Sequence, residues 1–307
     1  MEYGNGEVNH LVWRMTSNRY HHEEEGLTIE NPNVNISILG SQIECGSMVL
    51  DIGCGEGKFG KLIKNKKCSL YGIEIDKEAL EYAMEQGNYE DIYNFNVEMP
   101  ELNEKEYQRL SLSNLKFDYI IISDVLEHTI NPTKIILKVH EYLKDNGKIL
   151  VSVPNVNNAD IVLNLLRGRF NYMEAGILDN THTKYFTKES FVEWICEMNE
   201  CFENIYFDCK YLGGVYGLTK YLEQVKCEMP RVYELIQLNP EFNVIQNLFV
   251  LYKKKRGEHL EYLDMLLKEE RTDIVEILSE WLERGVNQNL LQEINGIRML
   301  PNERNIM

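Results

Sequence analysis

Short apolar runs alternate with amphipathic stretches through the first half of this chain. Five runs that are typical of buried strands lie at residues 48–51, 69–74, 91–96, 117–122 and 143–155. Between them, apolar residues recur at helical spacing, as in residues 77–86, where Asp76 is the expected N-cap. This alternation predicts a parallel sheet with helices on both faces.

The pattern changes after residue 155. A helix is predicted from Thr187, its N-cap, to about Asn199. Residues 203–209 and 243–253 then predict a sixth and a seventh strand. The stretch between them, residues 211–242, is longer than a hairpin needs, and we expect a lid there.

Three parts follow from this organisation. Residues 1–47 are expected to form an N-terminal cap or lid, and residues 48–256 the main domain with its insertion. Residues 257–307 carry apolar residues at helical spacing, which predicts a helical C-terminal appendage. These helices could pack on the core or form a homodimer contact.

The strongest chemical signal is the segment 48–57, MVLDIGCGEG, where a strand ends and glycines occupy every second position from residue 53 to 57. Glycine permits positive φ and lets a ligand lie against backbone N–H groups. The glycine spacing also satisfies the dinucleotide fingerprint, but Asp51 and Glu56 would repel a pyrophosphate. The same carboxylates attract the sulfonium and ammonium groups of S-adenosylmethionine. The loop therefore favours this cofactor over NAD.

Residues 51–57, Asp-Ile-Gly-Cys-Gly-Glu-Gly, resemble motif I of the class I S-adenosylmethionine-dependent methyltransferases. The resemblance covers about residues 45–255. It implies an α/β, Rossmann-like sheet of seven mostly parallel strands, the last one antiparallel, with helices on both faces. It also implies that Glu74 accepts hydrogen bonds from the ribose hydroxyls, and that Asn96 accepts one from the adenine amino group. The cofactor-binding residues so implied are Asp51, Gly53, Cys54, Gly55, Gly57, Glu74, Ile75, Asn96, Val97, Ser123 and Asp124.

Two histidines are candidates for a general base. His128 follows the fourth strand, at the carboxyl edge where ligands bind in open α/β sheets. His182 lies in GILDNTHTKYFT, residues 176–187, and a similar segment occurs in many bacterial methyltransferases that look like sugar or secondary-metabolite enzymes. We predict His182 as the first candidate and His128 as the second, while a purely structural role stays open for both.

The charge, the hydropathy and the cysteine content of the chain limit the classes of partner that we expect. The net charge of −17 opposes the many phosphate contacts of a nucleic-acid-binding protein. No run approaches the ~18 apolar residues of a membrane span, and the first residues do not resemble a signal peptide, so we expect no membrane partner and a cytoplasmic location. Seven scattered cysteines indicate reduced thiols. No metal site is expected, because the run from His21 to Glu25 is typical of a solvated acidic loop.

These observations predict a methyltransferase that transfers a methyl group from S-adenosylmethionine to a small-molecule acceptor, with a hydroxyl of a sugar or secondary metabolite expected first. An amine acceptor is the alternative within the same class. An NAD-dependent oxidoreductase and a non-catalytic scaffold with a methyltransferase-like fold are the alternatives outside it.

Overall fold

The computed structural model describes residues 28–202, 205–217 and 220–254. The seven strands are β1 Met48–Ile52, β2 Ser69–Ile73, β3 Asp91–Tyr93, β4 Phe117–Ser123, β5 Leu143–Pro154, β6 Phe207–Tyr216 and β7 Val244–Lys253. The helices of the described residues are α1 Asn35–Ser41, α2 Lys58–Ile63, α3 Lys77–Glu85, α4 Glu104–Leu112, α5 Pro132–His140, α6 Ala159–Leu166, α7 Lys188–Cys201, α8 Lys220–Glu228 and α9 Pro230–Gln237.

The strands form one sheet in the order β3-β2-β1-β4-β5-β7-β6. Strands β1 to β5 pair in parallel, whereas β7 runs antiparallel to both β5 and β6. The predicted fold class is confirmed: a Rossmann-like, mostly parallel seven-stranded sheet in which the last strand is antiparallel. The strand order reverses between β1 and β4, and ligands of open α/β sheets bind outside the carboxyl ends of the strands at such a point.

Alternation of side chains along each strand divides the core into two layers. Leu50 and Ile52 of β1 belong to the larger cluster, which also contains Phe191 of α7. Val49 of the same strand belongs to the second cluster, together with Leu39 of α1. Leu39 is completely buried, so α1 contributes to the core on this face of the sheet.

A third, smaller hydrophobic cluster lies between α6, α8 and α9. It consists of Ala159, Leu163, Leu222, Val225, Met229, Val232, Ile236 and Phe242. Most of the sequence predicted as a lid thus forms a helical unit with its own small core, directly after β6. The part before residue 217 belongs to β6 itself.

Two strand predictions were wrong in their bounds. The third strand ends at Tyr93 and not at residue 96, because the oxygen of Asn96 accepts hydrogen bonds from the backbone amides of Glu98 and Met99 and turns the chain. The sixth strand begins at Phe207 rather than at 203, and it extends to Tyr216.

The helix predicted after Thr187 is confirmed and runs from Lys188 to Cys201. The side chain of Thr187 accepts from the Ser190 amide, while the Ser190 hydroxyl accepts from the Thr187 amide. Asp76 likewise caps α3 as predicted, since its carboxylate accepts from the amides of Glu78 and Ala79.

Three predicted segments lie wholly or partly outside the described residues. Residues 28–47 of the N-terminal cap are described, as are residues 48–202, 205–217 and 220–254 of the main domain. The appendage at 257–307 is not described at all. Within the described ranges, no helix is both long enough and apolar enough to cross a membrane.

Candidate cofactor and acceptor site

The loop after β1 has the backbone geometry that its glycines predict. Gly53, Gly55 and Gly57 adopt φ of 70°, 51° and 81°. A Cβ placed on Gly53 would lie 2.7 Å from Cγ2 of Val125, in the loop after β4. The two loops at the carboxyl edge therefore touch, and a side chain at residue 53 would push them apart.

Asp51 lies beneath this loop. Its side chain is 3% exposed and accepts a hydrogen bond of 2.7 Å from the hydroxyl of Tyr89. The pKa of Asp51 is raised to about 7, chiefly by burial. The hydrogen bond from Tyr89 partly offsets this shift, and the negative charge of Glu74 adds to it. A buried carboxylate of this kind gains from a nearby cation, which is consistent with the predicted cofactor. Its direct contact with that cofactor stays a prediction.

Cys54 also faces inward. Its thiol is buried against Gly72 of β2, where a Cβ would lie 2.8 Å from Sγ. Burial raises the pKa of the Cys54 thiol well above its usual value, with the charges of Asp51 and Glu74 adding to the effect. The backbone of Cys54 can contribute to a cofactor site, but its buried thiol is poorly placed for redox chemistry. All seven cysteines of the chain are free.

Glu74 joins two loops at the end of β2. Its carboxylate accepts from the amide of Gly55 at 2.8 Å and, with the other oxygen, from the amide of Asp76 at 2.8 Å. Burial raises the pKa of Glu74, although these hydrogen bonds oppose the shift. Each carboxylate oxygen retains a second lone pair, so two ribose hydroxyls can still donate to it. The adjacent Ile75 is half-exposed and offers apolar surface.

The next two predicted residues lie in the turn after β3. The side-chain oxygen of Asn96 accepts from two backbone amides, so in this structure its acceptor capacity is used within the turn. Val97 is buried beside it. A hydrogen bond from adenine to Asn96 stays a prediction and would compete with these local bonds.

Ser123 and Asp124 belong to a polar network across three strands and α1. Asn35 of α1 donates to Asp124 at 2.6 Å and to Ser123 at 3.2 Å. The hydroxyl of Ser152 donates to Asp124 from β5, and the amide of Gln246 does so from β7. Desolvation raises the pKa of Asp124 to about 6 against these hydrogen bonds. Asp124 thus links the end of β4 to β5 and β7 through hydrogen bonds. The sequence did not indicate this role.

The structure brings the two predicted histidines together. Their ring centroids are 4.7 Å apart, in an edge-to-face arrangement. Two backbone hydrogen bonds hold this geometry, because the Glu127 carbonyl accepts from the amides of Thr183 at 2.7 Å and Lys184 at 3.1 Å. The segment 176–187 is thereby docked on the turn that follows β4.

Hydrogen bonds fix the tautomer of each ring. Nδ1 of His182 lies 2.9 Å from the carbonyl oxygen of Ile177, which can only accept, so Nδ1 carries the proton. Nδ1 of His128 lies 2.9 Å from the hydroxyl of Thr181, and that hydroxyl donates to Asp179 at 2.6 Å. The hydroxyl therefore accepts from His128. In its neutral form, each ring then has its lone pair on Nε2, the atom that a base or a metal ligand uses.

Sequence reasoning gave no function to Glu127, which lies next to these rings. Its side chain is 1% exposed, and within the described residues neither carboxylate oxygen has a hydrogen-bond partner. Burial raises the pKa of Glu127 well above its usual range, and the charges of Asp124 and Asp179 raise it further. Tyr89 was missed too, because its position in a connecting loop carries no pattern.

The chain is similar in sequence to known proteins. The model of one protein family, the methyltransferase domain, matches residues 34–199. The ubiquinone biosynthesis O-methyltransferase of Glaesserella parasuis is 26% identical over 181 residues, which are 57% of this chain and 72% of that protein. N-methyltransferase 4 of Papaver somniferum is 25% identical over 182 residues, which are 56% of this chain and 46% of that protein.

The chain also has similarity to solved structures. A SAM-dependent methyltransferase from Archaeoglobus fulgidus is 20% identical with a TM-score of 0.45, over 68% of this chain and 86% of the other. The plantazolicin methyltransferase BamL, in complex with a triazolic desmethylPZN analog and SAH, is 19% identical with a TM-score of 0.47, over 72% of this chain and 82% of the other.

Proposed function

The chain belongs to the methyltransferase domain family, and from this premise we propose that it transfers the methyl group of S-adenosylmethionine to a hydroxyl of a small molecule, a sugar or a secondary metabolite. The cofactor supplies a methyl group activated by its sulfonium charge. One observation carries the choice of a hydroxyl: a hydroxyl needs activation, and His128 and His182 meet edge to face at the carboxyl end of the sheet.

The cofactor would lie on the loop after β1. The donor set fits a cation, because Asp51 and Glu74 are buried acids whose pKa values are raised by burial. A positive charge placed beside them offsets the cost of their burial. Glu74 is also in place for a ribose, since it already joins this loop to the turn after β2.

The histidine pair would activate the acceptor hydroxyl through its Nε2 atoms. In its direct form this is general-base catalysis by His182, with His128 beside it, which is typically worth ~10²–10⁴-fold. The Nδ1 hydrogen bonds support this role, because they fix the orientation of each ring and make Nε2 the basic nitrogen of its neutral form.

An aromatic cluster borders the histidines and suits an acceptor with a flat or partly apolar body. Tyr185 lies 6.4 Å from His182, and Phe170 lies 6.0 Å from Tyr185 and 5.5 Å from Tyr172, between ring centroids. Phe170 and Tyr172 are 42% and 55% exposed, so they can stack on a ligand. Phe186, by contrast, is buried in the core against Phe191.

Calorimetric titration with S-adenosylmethionine, with NAD in parallel, tests the cofactor. We expect binding of the former only, weakened at least about tenfold by Glu74→Gln, because the neutral amide loses charge-assisted acceptance. Asp91→Asn is the matched control, since Asp91 lies at the opposite end of β3 and pairs with Arg109. Binding of NAD, or equal affinity of Glu74→Gln and the parent, would contradict the cofactor assignment.

The acceptor is tested with matched pairs of compounds that differ only in a hydroxyl or an amine. Methylation of the hydroxyl member, with kcat reduced ~10²–10⁴-fold in His182→Gln while cofactor affinity is kept, is the expected result. Faster methylation of the amine member, at a rate that His182→Gln does not change, would contradict O-methylation and favour N-methylation.

A further inference from the structure

The buried Glu127 has no role in activation by a histidine alone. A carboxyl group withdrawn from water normally finds a hydrogen-bond donor or a cation, because leaving it without one is costly. Both oxygens of Glu127 are buried and lack hydrogen-bond partners within the described residues. A positive group at this point would account for all of these features.

Glu127 and the two histidines form a set of metal donors. One carboxylate oxygen of Glu127 and one ring nitrogen each of His128 and His182 lie within 4.8 Å of one another. Ligands of a four-coordinate zinc, with bonds of about 2.0–2.2 Å, lie roughly 3.3 Å apart. Each pair of donor atoms would therefore need to close by at most about 1.5 Å, a change that small side-chain rotations of the three ligands can supply.

We propose that Glu127, His128 and His182 bind a divalent transition-metal ion of the zinc type. Two imidazoles and one carboxylate suit Zn²⁺ and its first-row neighbours, whereas Mg²⁺ prefers oxygen ligands. Three protein ligands leave at least one position open, as in catalytic zinc sites. Glu127 is buried and His128 is exposed, so the set of ligands extends from the protein interior to the surface.

The surroundings of the ligands support this assignment independently. Histidine ligands of metals almost always donate their other N–H to a carbonyl or a carboxylate, which fixes the ring. His182 donates to the carbonyl of Ile177. His128 donates to the hydroxyl of Thr181, which in turn donates to the carboxylate of Asp179. Histidines that serve only in packing do not need this arrangement, whereas here both His128 and His182 have it.

The catalytic part of this inference rests on the proposed function; the binding part does not. An acceptor hydroxyl that coordinates the metal at its open position loses its proton to solvent more readily, since a metal lowers the pKa of a bound O–H group. The oxygen lone pair then forms the O–CH₃ bond as the S–CH₃ bond breaks. The electron pair of the broken S–CH₃ bond stays on sulfur, and the sulfonium becomes a neutral thioether.

Metal binding is tested on the full chain after treatment with a chelator and gel filtration. Titration with Zn²⁺ alone is expected to show one tight site per chain. Glu127→Gln and His182→Gln should each weaken it by more than about 100-fold, and Thr181→Val by about tenfold, the usual effect of losing an outer partner of a ligand. Equal affinity of the parent, Glu127→Gln and His182→Gln would overturn the proposal.

Controls separate this site from other metal-binding groups of the chain. His140→Gln changes a histidine of α5 that packs against Phe207, and it should leave affinity unchanged. The double variant H21Q/H22Q tests the histidine–glutamate run near the N-terminus, and loss of binding there would place the metal elsewhere. Substitution by Co²⁺ should give a spectrum without a thiolate-to-metal band, whereas such a band would show cysteine ligation.

A second experiment distinguishes failure of the metal site from failure of the proposed function. Chelated protein and Glu127→Gln should bind S-adenosylmethionine with the affinity of the parent, while methylation of a hydroxyl acceptor falls and returns on addition of Zn²⁺. Metal binding without cofactor binding would refute the proposed function alone. Methylation that is unaffected by chelation, or restored by Mg²⁺ and not by Zn²⁺, would refute the catalytic role of the zinc-type site.

Discussion

Replacement of Asp51 by asparagine should stabilise the ligand-free fold above neutral pH. The folded-state pKa of about 7 exceeds the ordinary value of 3.8 by about 3 units, so ionisation at high pH costs the fold on the order of 4 kcal/mol. An asparagine oxygen can still accept from the Tyr89 hydroxyl, but its buried amide adds donors that cost ~1–3 kcal/mol. A net gain of ~1–3 kcal/mol remains.

The sign of the pH dependence follows from the direction of the shift. The pKa of Asp51 is raised in the folded state, so its contribution to stability is fully present below about pH 4 and is lost as pH rises through about 7. The advantage of Asp51→Asn should therefore be largest near pH 8.5 and should shrink as the pH is lowered. Urea denaturation at a series of pH values measures it.

Asp118→Asn is the control, because its effect has the opposite sign. Burial alone would raise the pKa of Asp118, but hydrogen bonds from Lys144 and from the Met48 amide outweigh it and lower the pKa. This variant should lose stability at neutral pH. S-adenosylmethionine should also stabilise the parent more than Asp51→Asn, because only the carboxylate attracts a cation. An Asp51→Asn protein no more stable than the parent at pH 8.5 would refute the reasoning.

Three further substitutions test individual contacts. Gly53→Ala places a methyl group 2.7 Å from Val125 at a positive φ, so it should destabilise the fold by ~1–3 kcal/mol and weaken cofactor binding in calorimetry; unchanged affinity would show that the loop is not packed this way. Thr187→Ala removes the reciprocal cap with Ser190 and should cost ~1 kcal/mol in urea denaturation, whereas Thr187→Ser should cost much less. Asn199→Ala leaves both backbone groups at the start of β6 without their partner and should cost ~2–4 kcal/mol; a loss below about 1 kcal/mol would mean that water replaces the side chain.

Local patterns in the sequence predicted the strands, the order of elements and the caps. The run from Phe117 to Ser123 is apolar because this strand is covered on both faces, and Thr187 caps α7 through residues only three positions away. Such features depend on neighbours in the chain. They can therefore be inferred without knowledge of the tertiary structure.

The contacts that build the site could not be predicted in this way. Asp51 and Tyr89 are 38 positions apart, and Asn35 and Asp124 are 89 apart. No periodicity records which polar side chains the folded sheet brings together. A cofactor contact could therefore be predicted for Asp51 from its local motif, but its hydrogen bond with Tyr89 could not. His128 and His182 were each identified as candidates, yet their contact, and the buried Glu127 beside them, depend on how the segment 176–187 docks.

The small core between α6, α8 and α9 has an evolutionary consequence. Its residues form a cluster separate from the two layers of the sheet, and mutations in units without shared partners have nearly additive effects. Descendants of this chain could therefore exchange or reshape this helical unit while the glycine loop and Glu74 keep their geometry. Sequence change in this unit would then be separated from the residues that hold the methyl donor.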